Sequence, residues 1–310
     1  MDPVVLFFLL GLVARLLRSD LRLPEAMYEG LSIYLLLAIG LKGGVELAKH
    51  PLLPLLPQLG GAVLLGIVLP LLAYPVLRRI GSFAKPDAAS IAAHYGSVSM
   101  VTFAVATAYL LERNIAHEQY MPLFVVFMEV PGIVVGILLA RMGSGGTIQW
   151  PTLAHEVFLG RSVVLLAGGL IIGWVAGPDA LQPQSRLFFD LFKAVLGLFM
   201  LEMGLVAASR IQDLRRTGAF LVLFGTLVPC LFAVLGILVA RAVHLSPGGA
   251  MLLGTLAASA SYIAAPAAMR IAVPEANPSY SLAASLGVTF PFNVVVGVPL
   301  YHRFAEALFG

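Results

Sequence analysis

Two short stretches place small polar groups inside runs that are otherwise apolar. HYGSVSMVTFA, residues 94–104, carries His94, Tyr95, Gly96, Ser97 and Ser99; LAASASYIAAP, 256–266, carries Ser259, Ser261 and Tyr262 ahead of Pro266. Glycine weakens a helix by about 1 kcal/mol, and proline removes a backbone donor. Serine hydroxyls compete with the helix for its own hydrogen bonds. Helices broken at such points present unpaired N–H groups where the second half begins, and those attract anions. Short serines bond a small oxyanion without blocking the backbone, and carbonyls freed by the break suit a cation. The competing reading is packing, because small residues let membrane helices approach closely.

Ionisable residues inside apolar runs add to this chemistry, at an insertion cost of about 2.5–3.5 kcal/mol each. Lys42 and Glu46 lie four apart, on one helix face. Glu129 sits in MEVPG, just before Pro131; Glu202 sits in LEMG, and Asn293 in PFNVVVG. Glu129 reads three ways: a cation ligand, a proton carrier, or a carboxylate hydrogen-bonded across helices. Lys42 reads as a partner of Glu46 or Glu202. Asp190 and Lys193 read as a surface pair, His94 as a satisfied helix histidine or an anion contact, and Arg270 as a topology marker. No HExxH, GxSxG, Walker A or paired CxxC motif is present, and His94, His117, His155 and His244 are scattered along the chain. The expectation is a protein that is not an enzyme and has no cofactor beyond a co-transported ion.

The elements that position these residues follow from composition. The chain has 310 residues, 60% hydrophobic and 11% charged, with a mean hydropathy of +0.96. Soluble domains carry about 25% charged residues, so most of this surface must face lipid. Apolar runs of about 20 residues occur at roughly ten places: 3–18, 26–48, 59–79, 88–111, 119–141, 157–176, 187–209, 218–243, 248–272 and 280–308. Runs such as 163–177 do not alternate, which excludes a transmembrane barrel. Asp2 stands where a signal peptide would be basic, so the first run reads as a retained helix. The single Cys230 excludes an internal disulfide. The pI near 9.1 reports orientation in such a chain, not nucleic-acid binding. Twelve basic residues fall in odd-numbered connections, and five, Lys49, Arg113, Arg186, Arg241 and Arg303, fall in even ones or at the C-terminus. That bias predicts cytoplasmic odd loops and both termini outside the inner membrane.

Ten passes with both ends on one side divide into two halves of five, which must be inverted. Residues 35–48 resemble 197–210, the Ser-x-Ser stretches match at an offset of 162, and 133–141 resembles 294–302. The predicted fold is an all-α polytopic membrane protein of two inverted five-helix repeats with broken spans four and nine. The first repeat covers 1–142, a cytoplasmic linker 143–156, and the second repeat 157–310. Inverted repeats with interrupted helices at matching places are a plan for secondary transporters.

GLKGG (40–44), HYGSVSMVTFA, MEVPG (128–132), MGLVAASRI (203–211), AASASYIAAP (257–266), PEANPS (274–279) and FPFNVVVG (290–297) together resemble the sodium-dependent bicarbonate transporter family, known best from cyanobacteria. The resemblance implies a core domain moving against a gate domain, a homotrimer in the lipid bilayer, and bicarbonate bound between the two broken helices with Na⁺ nearby. It places the anion at Gly96, Ser97, Val98, Ser99, Ser259, Ala260, Ser261 and Tyr262. Cation coupling, with Na⁺ near Thr102, Glu129 and Asn293, then also draws in Lys42 and Glu202; Lys42 stands where a sodium ion sits in relatives, or forms a structural ion pair. Against the cyanobacterial members this chain has Met100 and Val101 in place of Gly-Ser, Tyr262 in place of aspartate, and a charge at Lys42. These changes remove polar groups from the expected site and add a positive charge near it. The short linker does not support a PII-like regulator. The expected function is Na⁺-coupled import of a small anion, bicarbonate first, with symport of another small carboxylate on Na⁺ or H⁺ as the alternative.

Overall fold

Prolines and capping side chains set where the helices of this chain begin. Asp2 accepts the Val4 amide at 2.9 Å and opens α1 (Pro3–Leu16), and Pro3, Pro122 and Pro247 occupy first-turn positions, where a missing N–H costs nothing. The structure is a computed structural model that describes residues 2–49, 53–142, 151, 154, 155 and 158–309, the side chains of 211–217 apart. After α1 come α2 (Glu25–Leu47), α3 (Leu56–Pro75), α4 (Lys85–Gly96), α5 (Met100–Glu112) and α6 (Pro122–Arg141). The later part holds α7 (Arg161–Leu181), α8 (Phe192–Thr217), α9 (Ala219–Ala242), α10 (Pro247–Ala257) and α11 (Ala264–Ala272). The last helix, α12 (Pro278–Phe309), contains π turns at Ala283–Thr289 and Asn293–Gly297. No strand occurs among the described residues.

Among the described residues eight segments are long and apolar enough to cross a membrane, with α4 and α5 together as one of them. The sequence predicts ten. Two expected spans fall short by length: α1 has 14 residues, a rise of about 21 Å against a hydrocarbon core of about 30 Å, and 248–272 is divided into α10 and α11. The chain is a multi-pass membrane protein. The expected linker, 143–156, lies almost wholly outside the described residues.

Contacts between connections sort the two ends of the bundle. At one end, Lys193 lies 3.9 Å from Asp2 and 4.0 Å from Glu112. Glu118 accepts the Ser246 amide at 2.7 Å, and Arg241 donates to the Leu308 carbonyl. Both chain ends therefore share this end with the connections after α5, before α8 and after α9. At the other end, Arg141 pairs with Glu275 at 3.0 Å, Arg161 with Glu29 at 2.9 Å, and the Asn277 amide donates to Asp87 at 2.7 Å.

The strongest pairings fall into two packing groups, joined where α8 meets α12. α2 packs mainly on α7, and α1 on α8. Both crossings are made by glycines: a Cβ at Gly40 or Gly44 would collide with the α7 backbone around Leu170, and one at Gly11 with the carbonyl of Leu201 in α8. Such small-residue crossings are the common means of helix association in lipid. In the second group α3, α4 and α6 pack on one another, as do α9, α10 and α12. The two breaks lie inside this second group.

Candidate functional site

Both suspect stretches are breaks. α4 ends at Gly96, and Ser97 and Ser99 are extended, with φ/ψ of −91°/177° and −107°/113°. Ser99 then caps α5: its hydroxyl accepts the Thr102 amide at 3.2 Å and the Thr102 hydroxyl at 3.0 Å. The second break runs from Ala258 to Ile263, and α11 resumes at Ala264. Pro266 thus stands in the first turn of the resumed helix, where its absent N–H is harmless. The cap of the resumed helix is Ser261, whose hydroxyl accepts the Ala265 amide at 3.2 Å.

The breaks cross and bond each other. The Ser99 amide donates to the Ser259 hydroxyl at 2.8 Å, and the Ser261 amide donates to the His94 carbonyl at 2.8 Å. The surroundings hold the crossing closed. Gly132 of α6 lies so close to Gly96 and Ser97 that any Cβ there would overlap their backbone. The Tyr95 and Thr289 hydroxyls bond at 2.6 Å, and Thr289 donates onward to the Gly225 carbonyl at 2.8 Å. Asn293 donates to the Ala258 carbonyl at 2.9 Å and accepts from Tyr301 at 2.7 Å.

A cavity of about 10 Å³ opens at this crossing. It is lined by Val98, Ser99 and Met100 from the first break, by Ser261 to Ala264 from the second, and by Glu129 and Ser162. The N-termini of α5 and α11 therefore face one point. Two helix N-termini favour negative charge there, and the Glu129 carboxyl, 2% exposed, faces the same space. The space suits about one water-sized particle. The donors are those an alkali cation accepts: hydroxyls, backbone oxygens and one carboxylate. Among the described residues no cluster of three or more His, Cys, Asp or Glu side chains forms a transition-metal site. Ser97, 1% exposed, has a hydroxyl without a hydrogen-bond partner among the described residues.

The structure brings together most of the residues expected at the anion site. Val98, Ser99, Ser261 and Tyr262 line the cavity, and Ser259 braces it; Gly96, Ser97 and Ala260 are buried in the breaks but outside its lining. Tyr262 also sets its ring edge-on to Phe290, 5.5 Å between centroids. The residues expected at cation coupling are divided. Glu129 reaches the cavity, and Thr102 adjoins it through Ser99. Asn293 is spent on Ala258 and Tyr301. Lys42 lines a different cavity, with His117 and Phe103, and Glu202 lies beside Leu23 and Tyr28. Tyr28 and Lys42 belong to the same helix, about 21 Å apart along its axis, so Lys42 and Glu202 do not pair. Glu46 pairs with Lys49 at 2.8 Å instead.

Ser162 escaped the sequence reading. It follows Arg161 at the head of α7, where a lone serine reads as a helix terminus. The His94 carbonyl was equally hidden, because a backbone acceptor leaves no compositional trace.

A family model of the Na⁺-dependent bicarbonate transporter superfamily matches residues 3–306. No curated protein matches the chain. The chain belongs to the Na⁺-dependent bicarbonate transporter superfamily.

Proposed function

We propose that this superfamily member is a secondary active transporter that imports a small oxyanion, bicarbonate first, together with Na⁺. The observation that carries the reading is the mutual bonding of the two breaks, Ser99 to Ser259 and Ser261 to the His94 carbonyl, around a cavity that Glu129 shares. Two helix N-termini favour an anion at that point, but a charged Glu129 opposes one. A cation on Glu129 removes the conflict: carboxylate, cation and anion together are nearly neutral against the N-terminal partial charges. Simultaneous occupancy by anion and cation then follows from electrostatics, and simultaneous occupancy is what symport needs.

The cavity of about 10 Å³ holds a small ion but not a planar three-oxygen anion. Loading therefore requires the breaks to part. We assign the α1, α2, α7 and α8 group as the gate and the break-bearing group as the moving core. The exchange of partners between halves, α1 on α8 and α2 on α7, supports ten passes in two inverted repeats, 1–142 and 157–310. Placement of both termini at one end, away from the Arg141 and Arg161 end, supports termini outside and a basic cytoplasmic face. Assembly as a homotrimer belongs to the same proposal.

The test is uptake of ¹⁴C-bicarbonate into proteoliposomes at fixed pH, first with an inward Na⁺ gradient and then with a matched K⁺ gradient. Accumulation on Na⁺ alone supports the proposal. Equal uptake on both gradients that rises with an inward proton gradient transfers the coupling to protons on Glu129. No bicarbonate uptake under any gradient overturns bicarbonate and directs the assay to small carboxylates.

A further inference from the structure

One polar feature that the proposed transport site does not use is the cavity around Lys42. It measures about 270 Å³ and lies at the end of the bundle that carries both termini, between α2, α5 and the start of α8. It shares no lining residue with the cavity at the breaks. Its wall is aromatic, with Phe103, Phe188, Phe189 and Phe192, and Leu111 closes one side.

Its charges are settled with one exception. Glu118 is held by the Ser246 amide and hydroxyl at 2.7 and 3.0 Å. Glu112 lies 3.9 Å from Arg113 and 4.0 Å from Lys193, and Lys193 also meets Asp2. Burial pushes the His117 imidazole below its ordinary range. Glu46, one turn along α2 from Lys42, is engaged by Lys49. Lys42 forms no ion pair among the described residues. A half-buried ammonium whose nearby carboxylate, Glu46, is shared with Lys49 is costly in a membrane helix.

We propose that this cavity binds an amphipathic monocarboxylate, an aryl or short alkyl acid, with its carboxylate on the Lys42 ammonium and its apolar body against the phenylalanines. Bicarbonate satisfies the ammonium but leaves four aromatic side chains against water. A neutral apolar molecule satisfies the aromatic wall but leaves the charge unmatched. A ligand with one anionic end and one apolar body matches both, the usual composition of a small-molecule pocket. The site shares no lining residue with the cavity at the breaks, so its fate does not decide the transport proposal.

The experiment is calorimetric titration of the full chain in nanodiscs of zwitterionic lipid at pH 7.5. The probes are 3-phenylpropionate and its neutral isostere 3-phenylpropanamide. The expected result is saturable binding of the acid and binding of the amide weaker by about tenfold, as charge-assisted pairing implies. Lys42→Met should weaken the acid about tenfold and leave the amide unchanged, while Lys42→Arg keeps the acid within about threefold of wild type. Should Lys42→Met fail to fold, the acid–amide pair on wild type still decides. Absence of saturable acid binding overturns the proposal. So does equal binding of acid and amide, which marks simple partition into an apolar crevice.

Discussion

The two breaks have similar sequences and unequal chemistry. In the second, the serines and the Ala258 carbonyl have protein partners, and the Tyr262 hydroxyl is left over. Ser259 donates to the Leu256 carbonyl, Ser261 accepts the Ala265 amide, and Asn293 holds the Ala258 carbonyl. In the first, Ser99 caps α5, but the Ser97 hydroxyl is left over, and Glu129 opens into the cavity. Glu129 and Asn293 stand in regions the sequence matches to each other, yet one faces empty space and the other braces a backbone. The contrast is one of degree: the Ser97 hydroxyl and Glu129 are open at the first break, whereas at the second both serines are spent on backbone and the Tyr262 hydroxyl is left over. That contrast makes the proposed transport site falsifiable residue by residue.

The largest effect belongs to Glu129→Gln, which removes the cavity's carboxylate and keeps its size. A hydrogen bond or ion contact to a charged group contributes about 1.5–3 kcal/mol, or about 10- to 100-fold. Cation-driven accumulation in proteoliposomes should fall by about that factor while the melting temperature stays within a few degrees. Full retention of cation dependence would remove Glu129 from the coupling site and erase the asymmetry.

Asn293→Ala tests the opposite break and should do the reverse. It leaves the Ala258 carbonyl and the Tyr301 hydroxyl without their partner, both buried, at about 1–3 kcal/mol each. Thermal melting in detergent should show a clear loss of stability, larger than any loss of transport per folded molecule. An Asn293→Ala protein that melts like wild type but no longer responds to Na⁺ would make Asn293 a cation ligand after all.

The serines sharpen the comparison at smaller scale. Ser97→Ala removes a hydroxyl that nothing in the described structure uses, so it should weaken anion uptake about tenfold with unchanged melting. Ser261→Ala removes a cap worth about 1 kcal/mol, so it should lower melting, and it should weaken uptake less than Ser97→Ala does. If the two variants are indistinguishable, the breaks are equivalent. If the double variant transports normally, the serines serve packing alone.

Much of this was legible from residue types and spacing. Apolar runs mark membrane helices, because few charges cannot solvate a surface, and Ser-x-Ser beside glycine marks the breaks, because short hydroxyls outcompete the helix ladder. Other features were not legible. Asn293 and Glu129 look alike as polar residues near a proline, and only the Ala258 carbonyl beside one of them separates their roles. Lys42 and Glu202 look like partners because their segments match, but they lie toward opposite ends of the bundle. The matched segments lie on different helices, and a match in sequence does not fix equal depth in the bundle. Pro266 looks like a helix breaker, yet it falls in a first turn, a distinction of two residues that composition does not resolve.

The smallest prediction concerns the end of the molecule far from both chain termini, where the Arg141 guanidinium bonds Glu275 at 3.0 Å and also donates to the Ala272 carbonyl at the end of α11. The Glu275 carboxyl is held below its usual range, first by its own backbone amide and then by Arg141. A depressed carboxylate contributes its stability above the unfolded pKa, about 4.3, and loses it as pH falls through the folded value. Because Glu275 is 53% exposed, the contribution is at most about 1 kcal/mol. Melting profiles of wild type and Glu275→Gln should therefore run a constant small distance apart above pH ~6 and converge as the pH drops below ~4. Parallel profiles down to the lowest pH would mean that Arg141 anchors α11 through the Ala272 carbonyl alone, and that the tie beneath the second break is set by backbone geometry, not by charge.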